Sequence, residues 1–249
     1  MNTKLLDASH RIPPKILLIP GYWLGSWAWE NVANTLRTFG HDAQGVTLPG
    51  LESRSLSRAQ IHFSDHVAYV VSLIEGSQQP VILVAHSGAG AVVTAVADAV
   101  PQAISRIIYV DSGPVLNHTI PRPDITHQDI ELPFPGFATL ANNGASIQGL
   151  SIDTQQRVTE LAVPQPAGAI CEEITLHHPE RNDIPVSVIC CSITSTQIQQ
   201  LIKRGEPMFA AMNELVTLSL LDLPTGHWPM FSMPLELATI IARELQDLL

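Results

Sequence analysis

A serine and a histidine stand out in this sequence because a hydroxyl and an imidazole together can carry out nucleophilic catalysis. Ser87 lies in the segment VILVAHSGAG, between a short apolar run and a segment with helical spacing. His227 lies in PTGHWPMF, after the last apolar run of the chain. A serine hydroxyl becomes reactive when a neighbouring base accepts its proton. The two residues therefore predict a nucleophile with its general base.

The residues around Ser87 are small, as a sharp turn between a strand and a helix requires. Ala85, Gly88 and Ala89 leave room for the strand and the helix to approach each other. Serine beside small residues also caps helices, and this alternative stays open for the local pattern alone. The apolar strand before Ser87 and the helical segment after it favour the sharp turn, which exposes the hydroxyl.

Short apolar runs alternate with amphipathic segments along most of the chain, which is typical of a parallel sheet with crossover helices. We expect an α/β fold in a single domain, 1–249, with a mostly parallel central sheet and flanking helices. The predicted strands are 16–20, 42–47, 81–85, 107–110, 186–191 and 216–221. The predicted helices are 27–39, 64–74, 92–100 and 235–249.

Residues 114–183 interrupt this alternation. They contain eight of the nineteen prolines and no predicted strand. An insertion that leaves from the carboxyl end of a strand lies over the crevice where open α/β sheets bind ligands. We expect a lid of short helices and loops.

The composition limits the partners. A formal net charge of −10 without a basic run argues against nucleic acid and anionic membranes, which bind proteins largely through Lys and Arg. The N-terminal segment has no continuous apolar stretch, so we expect a cytoplasmic protein whose partner is a small-molecule substrate. A homodimer stays open. Cys171, Cys190 and Cys191 form no ligand cluster, and buried reduced thiols are the expectation.

Several motifs together resemble the α/β-hydrolase superfamily, in its esterase and hydroxynitrile-lyase-like branch. They are the segment around Ser87, IPGYWLGSWAW after the first strand, LPGLES, YVDSGP and LPTGHWP. The resemblance is closest to actinobacterial members and covers nearly the whole chain except the lid. Ala85 and Ala89 replace the glycines of G-x-S-x-G, and Pro20 stands where related esterases often have histidine.

The resemblance implies a serine hydrolase that works through an acyl-enzyme. Ser87 would be the nucleophile, His227 the base, and the backbone amides of Tyr22 and Gly88 the oxyanion hole. A small carboxylic ester, lactone or thioester would be the substrate. This chemistry implies no metal and no organic cofactor.

The acid of the triad does not lie at its usual place in this family. The residues after the predicted strand 186–191 contain no carboxylate until Glu206. Asp111, in YVDSGP, is the candidate instead, because some family members take their acid from that strand end. Asp111 could alternatively cap the turn that follows it. Asp222 is set aside as too close to the middle of its predicted strand, and Asp183 because it precedes the sheet strand.

Four aromatic residues are candidates for an apolar substrate pocket suited to a small acyl or aromatic group. They are Trp23, Trp228, Phe134 and Phe137. The residues of the lid could instead simply pack against the sheet.

Two other functions remain open on the same residues. A lyase of hydroxynitrile type would use Ser87 and His227 and would also need a cationic or strongly donating group in the pocket. The predicted lid contains no lysine, which counts against this function. A ligand receptor with little turnover is the second alternative.

Overall fold

A parallel sheet of six strands runs through the computed structural model, which describes residues 14–246. The strands are β1 Ile16–Ile19, β2 Ala43–Gly45, β3 Val81–His86, β4 Ile104–Val110, β5 Glu131–Leu132, β6 Gln165–Pro166, β7 Val186–Cys190 and β8 Leu218–Asp222. All but β5 and β6 belong to the main sheet. Every neighbouring pair in that sheet is parallel.

The helices connect these strands and cover the sheet. They are α1 Glu30–Thr38, α2 Phe63–Glu75, α3 Ala89–Ala99, α4 Phe137–Asn142, α5 Ile152–Leu161, α6 Gly168–Cys171, α7 Ser195–Lys203, α8 Pro229–Ser232 and α9 Pro234–Arg243. Short 3-10 turns occur at Ser26–Trp29, Pro101–Ala103, Pro179–Asp183 and Pro207–Glu214. None of the helices within 14–246 has the length and hydropathy of a membrane span.

The strand order is β2-β1-β3-β4-β7-β8, so the direction of winding reverses between β1 and β3. Ligand sites of open α/β sheets lie outside the carboxyl ends of the strands at such a reversal. The loop after β1 and the turn after β3 therefore meet at the place where a site is expected.

Alternate residues of each central strand face opposite layers of the core. In β3, Leu83 and Ala85 belong to the cluster that packs under α2 and α3, whereas Ile82 and Val84 pack with α1 and α9. All four side chains have no exposed surface. Burial on both faces explains why this strand is continuously apolar in sequence.

The predicted α/β fold with a mostly parallel central sheet is confirmed, and the differences concern element boundaries. β4 begins at Ile104 rather than residue 107, and β8 covers Leu218–Asp222 rather than 216–221. The helix after Ser87 begins at Ala89. The C-terminal helix ends at Arg243, and residues 247–249 of its predicted range lie outside the described residues, as does most of the N-terminal segment.

The segment 114–183 contains three short helices, as expected, but also two strands that the sequence did not predict. β5 and β6 are two residues long and pair antiparallel, too short to produce an apolar periodicity. The segment is fastened to the loop after β1. The Trp23 amide donates to Gln165 Oε1 (3.3 Å), its indole Nε1 donates to the Leu132 carbonyl (3.0 Å), and its own carbonyl accepts from the Val163 amide (2.9 Å).

Candidate active site

Ser87 occupies a strained turn between β3 and α3. Its φ is 52°, in the left-handed region that side chains larger than glycine rarely adopt. At this turn α3 lies close to the segment after β4. A Cβ at Gly90 would overlap the Gly113 carbonyl oxygen. Ala85 and Ala89 are almost fully buried on either side. These contacts are the physical reason for small residues around the serine.

Backbone contacts hold the turn in this strained conformation. The Ser112 hydroxyl donates to the Ser87 carbonyl at 2.5 Å, and the Gly90 amide donates to the same oxygen at 3.0 Å. The Ser87 amide donates to the Val110 carbonyl at 3.3 Å. The end of β4 thus supports the turn after β3, its neighbour in the sheet.

The imidazole of His227 lies between Ser87 and Asp111. Its Nε2 is 2.8 Å from Ser87 Oγ, and its Nδ1 is 2.6 Å from Asp111 Oδ2. The structure therefore brings together the three residues that the sequence analysis selected. An ionised carboxylate can only accept, so Nδ1 carries the proton and Nε2 is left free to accept the serine proton.

Asp111 is a buried carboxylate held by four hydrogen bonds. Oδ1 accepts from the amides of Cys191 (3.1 Å) and Ser192 (2.8 Å), and Oδ2 accepts from the Ser192 hydroxyl (2.6 Å) as well as from His227. Burial alone would raise the pKa of Asp111, but the hydrogen bonds from His227 and Ser192 outweigh it and lower the pKa to about 2. The group is therefore ionised at neutral pH.

His86, the residue directly before Ser87, also makes a specific contact with the site. Its Nε2 donates to the His227 carbonyl at 2.7 Å, while its buried Nδ1 has no partner within 14–246. Burial, reinforced by the neighbouring His227, lowers the pKa of His86 to about 3. The ring is neutral, and it fixes the backbone of the His227 loop from the nucleophile's own strand.

The same loop is held from the other side by segment 114–183. The His227 amide donates to the Ser146 carbonyl at 2.7 Å, and the Gly226 amide donates to the Gln148 carbonyl at 3.1 Å. A Cβ at Gly226 would lie 2.5 Å from that Gln148 oxygen, so only glycine fits this approach. The sequence offered no signal for these contacts, because they involve backbone groups distant along the chain.

The residues predicted for the oxyanion hole lie beside Ser87. A Cβ at Gly21 would be 2.9 Å from the Ser87 Cβ, and one at Gly88 would overlap the Tyr22 ring. Neither the Tyr22 amide nor the Gly88 amide has an acceptor within the described part of the chain. The two amides are therefore free to donate to a developing oxyanion, which needs such backbone donors.

The four predicted pocket residues form one continuous aromatic row with Tyr22 and His227. Successive rings meet nearly edge to face, and their centroids are 4.9–5.8 Å apart. The order along the row is Tyr22, Trp23, Phe134, Phe137, Trp228 and His227. Trp23, Phe137 and Trp228 are buried. The row connects segment 114–183 with Tyr22 at one end and His227 at the other, and Phe137 and Trp228 also belong to the hydrophobic core.

A small cavity adjoins Tyr22, and none of the four predicted pocket residues lines it. Its volume is about 10 Å³, room for roughly one water molecule. Tyr22, Leu48, Leu51, Gly88 and Ile170 contribute to its walls. Burial raises the pKa of Tyr22 to about 12, so its phenol is neutral. The Tyr22 ring limits the space next to Gly88, because a Cβ at Gly88 would overlap it.

Neither Asp222 nor Asp183 forms a hydrogen bond with the His227 ring within residues 14–246. Asp222 is the last residue of β8, not a mid-strand residue as expected, and it is exposed. Its carboxylate accepts from the Ser195 amide and hydroxyl, both at 2.6 Å. Asp183 ends a 3-10 turn before β7.

The three cysteines are buried and free, which confirms that expectation for the thiols. Burial raises the pKa of Cys190 to about 12 and that of Cys191 further still, so neither is a ready nucleophile at neutral pH. Within residues 14–246, no three His, Cys, Asp or Glu side chains come together as a metal site.

Comparison with known proteins places the chain in a family. Residues 16–240 match the model of the alpha/beta hydrolase family. A carbendazim hydrolyzing esterase of Nocardioides sp. is 35% identical over 98 residues, which cover 39% of this chain and 40% of that protein. Methyl jasmonate esterase 1 of Vitis vinifera is 30% identical over 109 residues, which cover 41% of each. The chain thus matches about two fifths of the length of these curated relatives.

A solved structure has the same fold as this chain. An extracellular alpha/beta-hydrolase from a Paenibacillus species superposes with a TM-score of 0.74 at 19% identity, over 93% of this chain and 98% of the other. Because the family match extends from β1 into α9 and so includes Ser87, Asp111 and His227, the protein belongs to the alpha/beta hydrolase family.

Proposed function

We propose that this protein is a serine esterase that cleaves a small carboxylic ester through an acyl-enzyme. The observation that carries this proposal is the hydrogen-bonded series from Asp111 through His227 to Ser87, with contacts of 2.6 and 2.8 Å. The nucleophile, the base and the group that orients the base are in reach of one another without rearrangement.

In the first half of the reaction, Ser87 Oγ attacks the ester carbonyl carbon while His227 Nε2 takes the hydroxyl proton. Asp111 keeps the imidazole in the required tautomer and stabilises the imidazolium. The negative charge that develops on the carbonyl oxygen is held by the amides of Tyr22 and Gly88. Collapse of the tetrahedral intermediate breaks the bond to the alcohol oxygen, which leaves with the proton from His227.

The second half repeats the sequence with water. His227 takes a proton from the water as it attacks the acyl carbon, and returns that proton to Ser87 Oγ as the bond to the serine breaks. The acid is released and the free serine is restored. Each deprotonation of a nucleophile is matched by protonation of a leaving oxygen, so no cofactor is needed to balance the reaction.

One observation supports an ester over a lactone or a thioester, and another supports a small substrate. Both curated relatives described above are named as esterases, which supports ester chemistry for this chain. The cavity beside Tyr22 and Gly88 is about 10 Å³, which supports a small group on that side of the carbonyl. The net charge of −10 supports a small-molecule substrate over nucleic acid or an anionic membrane surface.

We infer that segment 114–183 acts as a lid whose aromatic residues form the apolar side of the substrate site. The aromatic row supports this role, because it runs from the segment to His227 through the buried Phe137 and Trp228. A cytoplasmic location and a closest likeness to actinobacterial members of the superfamily remain predictions from the sequence.

Hydrolysis of p-nitrophenyl acetate, butyrate and benzoate tests the proposal. We expect turnover by the wild type and by Ser64→Ala, which changes an exposed serine on α2. Ser87→Ala should lose at least about 10³-fold of this activity. Turnover that survives in Ser87→Ala would contradict the proposal. Formation of aldehyde and cyanide from a cyanohydrin, without any ester hydrolysis, would favour the lyase instead.

A further inference from the structure

A serine next to the proposed triad binds the proposed acid, although it forms no hydrogen bond with Ser87 or His227 within residues 14–246. Ser192 follows β7, the neighbour of β4 in the sheet, and β4 leads into Asp111. The Asp111 amide donates to the Ile189 carbonyl at 2.9 Å, which fixes the two strand ends relative to each other. Ser192 and Asp111 are therefore held side by side by the sheet itself.

Ser192 makes two of the four hydrogen bonds to the Asp111 carboxylate. Its amide donates to Oδ1 at 2.8 Å, and its hydroxyl donates to Oδ2 at 2.6 Å. Oδ2 is also the oxygen that accepts from His227 Nδ1 at 2.6 Å. One oxygen thus links the Ser192 hydroxyl and the imidazole, and these two donors fix the direction in which the carboxylate points.

We infer that Ser192 is a positioning residue, which orients Asp111 for His227. The inference rests on the proposed function for its kinetic consequences. Hydrogen bonds to a carboxylate stabilise its charged form, and burial of Asp111 opposes that form. Without the Ser192 hydroxyl, Oδ2 would have one donor fewer and the carboxylate would be freer to rotate.

The chain contains a matched control for this serine. Ser195 donates its amide and its hydroxyl to the two oxygens of Asp222, each at 2.6 Å, just after the same strand. Asp222 makes no contact with His227 among the hydrogen bonds of residues 14–246. Ser195→Ala therefore removes the same kind of hydrogen bond without touching the Asp111–His227 pair.

The kinetic test compares Ser192→Ala, Ser192→Thr and Ser195→Ala on the ester that the wild type hydrolyses best. We expect Ser192→Ala to lower kcat about tenfold, the size of one lost hydrogen bond to a charged group, with little change in KM. Ser192→Thr retains the hydroxyl and should restore most of this loss. Ser195→Ala should keep the kcat of the wild type.

A double-mutant cycle shows whether Ser192 acts through Asp111. When Asp111 is replaced by Asn, the further change Ser192→Ala should lower kcat no more than about twofold. A full tenfold loss in that background would overturn the inference, because the serine would then act independently of the carboxylate. An unchanged kcat in Ser192→Ala alone would overturn it as well.

A spectroscopic readout separates this inference from the proposed function. The proton shared by His227 Nδ1 and Asp111 should give a downfield proton resonance that shifts in Ser192→Ala and not in Ser195→Ala. If the wild type hydrolyses no ester but the resonance shifts as described, the esterase proposal fails and Ser192 still positions Asp111. A resonance that is unchanged in Ser192→Ala would contradict the inference whatever the activity.

Discussion

The ring of His86 donates a hydrogen bond to the backbone carbonyl of His227 at 2.7 Å, across 141 positions of sequence. The residue directly before the proposed nucleophile thus holds the backbone of the proposed base. Both rings also lie close together, with centroids 4.9 Å apart. The distance between Ser87 Oγ and His227 Nε2 therefore depends on a buried histidine that takes no part in proton transfer.

Replacing His86 by phenylalanine should lower both stability and turnover. Phenylalanine fills the space of the ring but cannot donate to the His227 carbonyl, which would be left without this partner. We expect the free energy of unfolding to fall by about 1–3 kcal/mol and kcat to fall at least about tenfold. Chemical denaturation and steady-state kinetics, with kcat expressed per folded molecule, would measure the two effects. A destabilised variant that keeps the wild-type kcat would show that His86 only packs.

Asp111→Asn should lower kcat by about 10⁴-fold, because an amide at this position favours the wrong tautomer of the base. The matched control is Asp222→Asn, which changes another carboxylate at a strand end that is bonded to Ser195 and not to His227. That control should keep wild-type kcat. If Asp111→Asn lost less than about tenfold, Asp111 would only cap the turn after β4, as the alternative interpretation of the sequence holds.

The pKa of Asp111 also predicts how stability depends on pH. Its folded-state pKa of about 2 lies below the ordinary value of 3.8, so its contribution is fully present above the ordinary value and is lost as the pH falls toward 2. The contribution is about 2 kcal/mol, of which about half should be gone at pH 3.

Denaturant unfolding of the wild type and Asp111→Asn between pH 6 and pH 3 measures this dependence. The difference in the free energy of unfolding between the two proteins should become smaller by about 1 kcal/mol as the pH falls. A difference that stays constant over that range would mean that the hydrogen bonds from His227 and Ser192 do not stabilise the ionised carboxylate.

Tyr22→Ala should widen the range of accepted acyl groups. Removing the ring opens the space beside Gly88, where the cavity is now about 10 Å³. We expect the ratio of kcat/KM for hexanoate over acetate esters to rise at least about tenfold, since each methylene in an apolar pocket is worth about that much. Tyr69→Ala, which changes a largely exposed tyrosine on α2, should leave the ratio unchanged. An unchanged ratio in Tyr22→Ala would place the acyl group elsewhere.

The parts of the fold that the sequence predicted are those with strong local signals. VILVA is buried on both faces, so it is continuously apolar, and the small residues after it mark the turn at Ser87. His227 could be selected because it follows the last strand of the sheet. The two-residue strands β5 and β6 were missed because so short an element has no periodicity.

The contacts that the sequence did not predict depend on which strands are neighbours in the sheet. Ser192 and Asp111 are 81 residues apart and meet only because β4 pairs with β7. The bond from His86 ends on a backbone oxygen, which has no side-chain signature. Asp222 is the last residue of β8 and directly follows the predicted range 216–221, so its place in the strand is not what separates it from His227. Its carboxylate binds Ser195 instead.

Covalent labelling shows whether Ser87 is the activated nucleophile of this protein. A fluorophosphonate transfers its phosphonyl group to an activated serine oxygen, whose proton goes to the base as fluoride leaves, and peptide mass spectrometry locates the adduct. We expect one adduct on Ser87, formed in step with the loss of ester hydrolysis. The rate of labelling should be much lower in His227→Ala. Complete loss of hydrolysis with the label on another residue, or continued hydrolysis by protein fully labelled at Ser87, would contradict the assignment of Ser87 as the nucleophile.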